Sequence, residues 1–264
     1  MLQASLIIPF YKDLEALELI LTALNGQSAK GRFEVIIAED DDATATRSFL
    51  EKIQPALNYP LQHTSQPDEG YQRSKALNNG IRIAKNELIV FTDGDCIPHK
   101  HFIKSYLAEA KDDLLLYGRR VNLGEKFSRQ IRQTKQLDKL NLLSLLLSDS
   151  TRVTEGLFLP FYPASFKSKR QPWGCNMGAM KKNITAVNGF DEDYKEWGPE
   201  DLDLYWRLTQ AGCASQSVKY QAIIYHLYHK TKGVTDVAER GKKLFDDKVK
   251  AGIIFCKNGL VKAG

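Results

Sequence analysis

The 264-residue sequence lacks any apolar run long enough to cross a bilayer. Its longest, Ser5 to Phe10 and Leu140 to Leu147, fall far below the roughly 20 residues a spanning helix requires, so no transmembrane segment is expected. No basic segment precedes the first apolar run, and Pro9 leads directly to Tyr11-Lys12-Asp13, so a secretory leader is not expected and the cytosol is the expected compartment. Cysteine is sparse. Cys96, Cys175, Cys213 and Cys256 stand far apart in the chain, without the close pairs that build zinc fingers or redox dithiols, and are read as reduced structural thiols. Internal repeats and low-complexity tracts are absent. So is a strong charge of one sign: a net +5 suits an anionic ligand or a lipid surface without selecting either. Basic and aromatic residues interleave from Phe158 to Arg170, but no module signature for RNA or DNA accompanies them, and nucleic acid is not an expected partner.

With 43% hydrophobic and 26% charged residues, the chain has the composition of a folded domain rather than a disordered one. Its first half alternates short apolar runs with helical periodicity. Ser5 to Phe10 reads as a buried strand, and Leu14, Leu17, Leu21 and Leu24 share one face of a helix with Asp13 as N-cap and Gly26 as its stop. Phe33 to Ala38, Leu61 to Ser65 and Glu87 to Thr92 read as further strands; Ala43 to Gln54 and Tyr71 to Lys85 read as helices. Alternation of this kind predicts an α/β fold, with a mostly parallel sheet flanked by helices and ligands beyond the carboxyl ends of its strands. Residues 125 to 172 read as a helical insert, and Val234 to Lys257 as an amphipathic basic helix.

Acidic clusters stand at two strand ends. Glu39-Asp40-Asp41-Asp42 follows the second strand, and Asp93-Gly94-Asp95 follows Leu88-Ile89-Val90-Phe91. Two aspartates on a tight turn offer hard oxygen ligands where a cation also reaches a diphosphate, although a solvated turn is the commoner use of such a pattern. A further cluster lies in Glu196-Trp197-Gly198-Pro199-Glu200-Asp201-Leu202-Asp203, where Pro199 opens a helix. Carboxylates in a first helical turn ordinarily complement the helix dipole. Beside a glycine and an indole they can instead serve a sugar site: Trp197 is a platform for a sugar face, and an adjacent carboxylate can take a proton from a hydroxyl nucleophile.

Together FTDGDCIP, YQRSKALNNG and NGFDEDYKEWGPEDLDLYWRL resemble the inverting family 2 glycosyltransferases of the GT-A fold, over most of residues 4 to 230. The last two motifs also resemble segments of animal β-1,4-galactosyltransferases and of the bacterial chondroitin polymerase. The resemblance implies a UDP-sugar donor, a Mn2+ or Mg2+ ion, and a glycan or lipid-linked acceptor. It implies that Pro9 borders the nucleotide and that Asp40 reads uracil. The family's usual Asp-Asp-Gly-Ser is here Glu39-Asp40-Asp41-Asp42, which leaves Asp40 competing with its neighbours for that role. Arg73 and Lys75 match cations near the donor, and Trp173 to Asn176 match the segment bordering the donor sugar. Asp93 would lie near ribose and metal, Asp95 would ligate the metal, and His226 or His229 would complete it, with His226 preferred. Asp201 matches the catalytic base, and Glu200 the neighbour that binds the acceptor or orients the base.

The expected layout is a single GT-A domain: a nucleotide-binding half at 1 to 124, the insert, a catalytic half at 173 to 230 and a helical tail from 231. A glycosidase would also pair two carboxylates but needs neither nucleotide nor metal motifs. A sugar nucleotidyltransferase would carry a Gly-rich phosphate loop where this chain has Ile8-Pro9-Phe10-Tyr11-Lys12. An inactive nucleotide-sugar-binding relative would not need Asp95, Asp201 and the histidines. The Leu-rich insert and the Lys-rich tail leave room for peripheral contact with an anionic inner leaflet, core packing being the equal alternative.

Overall fold

A computed structural model describes residues 1–161, 174–230 and 235–262. The first half contains β1 (Ala4–Phe10), α1 (Leu14–Asn25), β2 (Phe33–Glu39), α2 (Thr44–Ile53), β3 (Leu61–Thr64), α3 (Arg73–Ile83) and β4 (Leu88–Thr92). There follow β5 (Cys96–Pro98), α4 (Phe102–Glu109), β6 (Leu114–Tyr117), β7 (Arg119–Asn122), α5 (Glu125–Thr134) and α6 (Leu142–Leu146). The chain then forms β8 (Asn176–Met180), α7 (Lys181–Ala186), α8 (Glu200–Gln210), β9 (Ala214–Ser217), β10 (Ile223–His226) and α9 (Thr235–Lys250).

Seven strands form one sheet in the order β3-β2-β1-β4-β8-β6-β9. Only β8 runs antiparallel to its neighbours β4 and β6; the other pairs are parallel. The mostly parallel sheet expected from the alternation is therefore present. β2 and β4 are buried along their whole length because helices cover both faces, which is why their sequences are continuous apolar runs. Successive side chains of β1 part to opposite faces: Leu6 and Ile8 pack with α1 and α4, while Ile7 packs with α3, α7 and α8.

Local chemistry sets the helix limits. Asp13 caps α1 by accepting from the Ala16 amide at 3.0 Å, as its position before the leucine stripe predicts. The expected helix Tyr71 to Lys85 is shorter, running Arg73–Ile83, and the tail helix stops at Lys250, with Gly252 in the left-handed region at φ +65°. The insert is less helical than expected: α5 and α6 are short, turns join them, and its last part, from 162, lies outside the described residues. Gly124 brings no capping side chain to α5. Asp149, from the middle of the insert, accepts from the Lys126 and Phe127 amides at 2.8 and 3.1 Å instead. A methyl on Gly124 would fall 2.1 Å from that carboxylate.

A second sheet, β5-β10-β7, is not evident in the sequence. β10 runs antiparallel to β5, setting His226 opposite Cys96, and parallel to β7. Three-residue β5 and four-residue, mostly polar β7 are too short for periodicity to reveal. Among the described residues, no helix is long and apolar enough to cross a membrane.

α8 is held by a buried ion pair. Arg207, fully buried, donates to Asp203 at 2.7 Å and to the Val187 carbonyl at 2.6 Å. Removing one partner of such a pair leaves an uncompensated buried charge, so Arg207→Met should lower unfolding free energy by about 3–5 kcal/mol. The urea midpoint measures this. Lys243→Met, which breaks the exposed pair with Asp247, should leave that midpoint in place.

Candidate active site

Arg73, the first residue of α3, joins three carboxylates from distant parts of the chain. Its Nη1 donates to Asp201 at 2.8 Å and to Glu200 at 3.2 Å; its Nη2 donates to Asp93 at 2.7 Å. Burial works against the Arg73 charge, but Asp201 and Asp93 outweigh it, and its pKa stands above the ordinary arginine value. Burial also raises Asp93, against the pull of Arg73. Glu200 is pushed up to about 7, first by burial and then by the charge of Asp201. Tyr71 donates its hydroxyl to Glu200 at 2.8 Å.

Two glycines make this convergence sterically feasible. A methyl on Gly174 would lie about 1.9 Å from the Asp201 carboxylate, so the missing side chain is the seat on which Asp201 rests. A methyl on Gly94 would come within 2.8 Å of the Pro9 carbonyl, so glycine lets the turn after β4 pass against the end of β1.

The same turn presents Asp95 to two histidines. His226 Nε2 and His229 Nε2 approach one Asp95 oxygen at 3.2 and 3.3 Å. The second sheet explains this: β10 lies beside β5, which starts directly after Asp95, and the Leu227 amide donates to the Asp95 carbonyl at 2.9 Å. Burial alone would raise the Asp95 pKa, but the hydrogen bonds from His226 and His229 outweigh it and hold it well below the carboxylate range. The bond to Asp95 raises His229. One carboxylate oxygen and two imidazole nitrogens, all within 4.8 Å of one another, fit a divalent first-row cation. The two histidines are placed alike. Asp93 turns to Arg73 and stands outside this triad.

At the other end of the site, buried Asp40 accepts from the Gln72 amide and from Gln66 Nε2, both at 2.7 Å, and so caps the start of α3. Burial raises its pKa. A cavity of about 1360 Å³ takes in Pro9, Asp40, Arg73, Asp93, Asp95, Glu200, Asp201 and both histidines, with exposed Trp197 on its rim. Lys75 does not line it; that side chain reaches toward Glu69 at 3.9 Å and acts on Asp40 only through its charge. Trp173 lies outside the described residues. Sequence reasoning missed Tyr71, Arg120, Arg132, Lys230 and Lys242, all of which line the cavity. Tyr71 stands inside a motif already singled out; the others carry no local signal.

The C-terminal helix forms one wall. Ala238 and Lys242 of α9 line the cavity, Arg240 pairs with Glu196 at 2.8 Å, and a methyl on Gly241 would meet Pro199 at 2.9 Å.

This sheet order, with carboxylates and histidines gathered at the strand ends, is that of the GT-A glycosyltransferase fold. A mannosyltransferase of Pyrobaculum calidifontis in complex with GDP-Man and Mn2+ superposes with a TM-score of 0.64 at 14% identity, over 94% of this chain and 64% of that one. TarS of S. aureus in complex with UDP gives 0.59 at 16% identity, over 85% and 60%. The family model for glycosyl transferase family 2 matches residues 5–170, more than half of the sequence, and the chain belongs to that family. A second model, described as the N-terminal domain of galactosyltransferase, matches residues 161–230. The chondroitin synthase of Escherichia coli is 26% identical over 242 residues, 84% of this chain. The validoxylamine A glucosyltransferase of Streptomyces hygroscopicus subsp. jinggangensis is 27% identical over 224 residues, 79% of this chain. The chain spans 34% of the first relative's length and 51% of the second's.

Glu200 makes stability depend on pH. Its folded pKa of about 7 lies above its ordinary 4.5. Both states hold the proton at lower pH; between these values the unfolded chain releases it while the folded one keeps it, so stability falls as pH rises and levels off above the folded pKa. Glu200→Gln removes this slope. The unfolding free energy of the variant minus that of the protein should rise by a few kcal/mol across this window and stay level on either side, as urea unfolding at stepped pH will show.

Proposed function

We propose that this chain transfers a sugar from a UDP-sugar to a hydroxyl of a glycan or lipid-linked acceptor, inverting the anomeric centre in a single displacement. The observation that carries this reading is the Arg73 clamp, which sets Asp201 and Asp93 in the same cavity as the Asp95, His226 and His229 triad. Among the described residues only Arg73 bonds Asp201, through Oδ1, which leaves Oδ2 to take the acceptor proton. Glu200 orients the base through their common arginine. A divalent cation of the Mn2+ or Mg2+ class, held by Asp95 and the two histidines with Asp93 nearby, would supply charge neutralisation for the departing diphosphate. Asp40 and Pro9 would border the nucleobase, with Lys75 contributing charge from outside, and Trp197 would offer its face to a sugar ring.

In this reading, residues 1–124 bind the nucleotide and 173–230 carry the catalysis, within one domain. The chondroitin synthase relative suggests bacterial surface polysaccharide assembly as the setting. A sugar nucleotidyltransferase is disfavoured because Lys12, the cation after β1, is engaged with Asp68 at 2.9 Å. An inactive relative is disfavoured by the convergence of base and triad.

Thermal unfolding with UDP, GDP, CDP and dTDP, each with and without Mn2+, tests the donor class. The expected result is a Mn2+-dependent rise in Tm with UDP that Asp95→Ala loses. Asp201→Asn should keep that rise while transfer from UDP-sugars falls by about 10²–10⁴-fold. No rise with any nucleotide would overturn the proposal.

A specific surface favours lipid contact. Leu143, Leu146 and Leu147, on and just after α6, are 68%, 60% and 81% exposed. In our reading they rest on an anionic leaflet beside which a lipid-linked acceptor is extended. The protein should float with anionic vesicles, and Leu143→Ser with Leu147→Ser should reduce the floated fraction; absence of flotation removes this element.

A further inference from the structure

Two cysteines that look unrelated in the sequence meet beside the site. Cys96 opens β5 directly after Asp95, and Cys175 follows Gly174, on which Asp201 rests. Their sulfurs and a carboxylate oxygen of Asp93 lie within 4.8 Å of one another. Both cysteines are buried, at 0% and 3% exposure, while Asp93 is half-buried and lines the cavity together with Cys175, so the Asp93 side of the cluster faces the cavity. We propose that Asp93, Cys96 and Cys175 form a second metal site, for a thiophilic divalent cation of the zinc or cadmium class, and that filling it stops catalysis.

Ligand chemistry distinguishes the two sites: two thiolates favour thiophilic ions and reject Mn2+ and Mg2+, whereas one carboxylate with two imidazoles accepts Mn2+ as well as zinc. In a tetrahedral zinc site the Zn–S bonds of about 2.3 Å put sulfurs roughly 3.8 Å apart, so donors already this close need only small side-chain adjustments. Three protein ligands leave a fourth position toward the cavity, the open arrangement of zinc sites that are not purely structural. On binding, each thiol passes its proton to solvent, and the two thiolates with the Asp93 carboxylate enclose the dication. The Arg120 guanidinium, whose charge acts on both sulfurs, offsets the remaining negative charge.

The consequence for catalysis runs through Asp93, which now holds Arg73 Nη2 at 2.7 Å. A cation that takes Asp93 as a ligand releases one arm of the clamp that positions Asp201. This inhibitory effect rests on the proposed transferase reading; the binding itself does not.

Cobalt distinguishes the two sites, because thiolate ligation adds a charge-transfer absorption in the near ultraviolet that carboxylate and imidazole ligation does not. Titration of the full chain with Co2+ should produce this band, and Zn2+ should abolish it by displacement. Asp95→Ala and the Cys213→Ala/Cys256→Ala double variant should retain it; Cys96→Ala/Cys175→Ala should lose it, with circular dichroism confirming its fold. Cys96→Ser, which keeps a small polar side chain, should weaken Co2+ binding by at least about 10-fold. In transfer assays at fixed Mn2+, Cys96→Ala should tolerate at least about 10-fold more Zn2+ than the unaltered protein. No band in the unaltered protein, or one that survives in the folded Cys96→Ala/Cys175→Ala variant, overturns the site. Equal inhibition of the unaltered protein and Cys96→Ala overturns its effect on catalysis. If no sugar is transferred under any condition, the spectrum still decides binding, so failure of the transferase reading is distinguishable.

Discussion

The site depends on one guanidinium. Asp93 opens the turn after β4, while Glu200 and Asp201 start α8, and the three carboxylates share a cavity where burial penalises the charges of Asp93 and Glu200. Without a cation among them they would repel one another and draw the two segments apart. Arg73 offers a planar fork whose two ends satisfy acceptors from both sides at once, which the point charge of a lysine does not reproduce. One positive charge does not balance three negative ones; burial first, and the neighbouring carboxylates after it, raise the pKa values of Glu200 and Asp93. Asp201 is thus aligned by the same contact that joins the turn after β4 to the start of α8.

Most of the first half was legible in the chain because its strands are continuously buried. Runs such as Leu88 to Thr92 leave no alternative to a core strand, and Asp13 and the leucine stripe of α1 announce themselves locally. The second sheet left no such trace. β5 has three residues and β7, Arg119-Arg120-Val121-Asn122, has four with a single apolar one, so neither is long enough to show a period. Yet this sheet brings His226 and His229 to Asp95. The sequence resemblance supplied the histidines as candidates; only the pairing of β10 with β5 explains why both reach one oxygen.

Spacing along the chain was a poor guide to side-chain partnership in two further places. Cys96 and Cys175 read as scattered thiols, and nothing local marks Asp149 as the residue that caps α5, because sequence distance says nothing of which loops return to one another. Asp40 shows the reverse difficulty. Its acidic neighbours made the position ambiguous, and the structure gives it two duties, capping α3 and facing the cavity, which a motif cannot separate.

The packing of α9 on the segment before α8 carries a consequence for biosynthesis. Gly241 lies against Pro199, Lys248 binds Asp191 and Asp193, and Cys256 is buried beneath the carbonyls of Val187, Asn188 and Phe190. The walls of the cavity are therefore not complete when the sheet is. A nascent chain released from the ribosome only as far as His229 already has Asp201 and the three residues of the triad, but nothing yet covers them on that side. Closure waits for α9, which is made after the residues it covers, so the domain passes through a stage in which its acidic cleft is open to water and to any cation present.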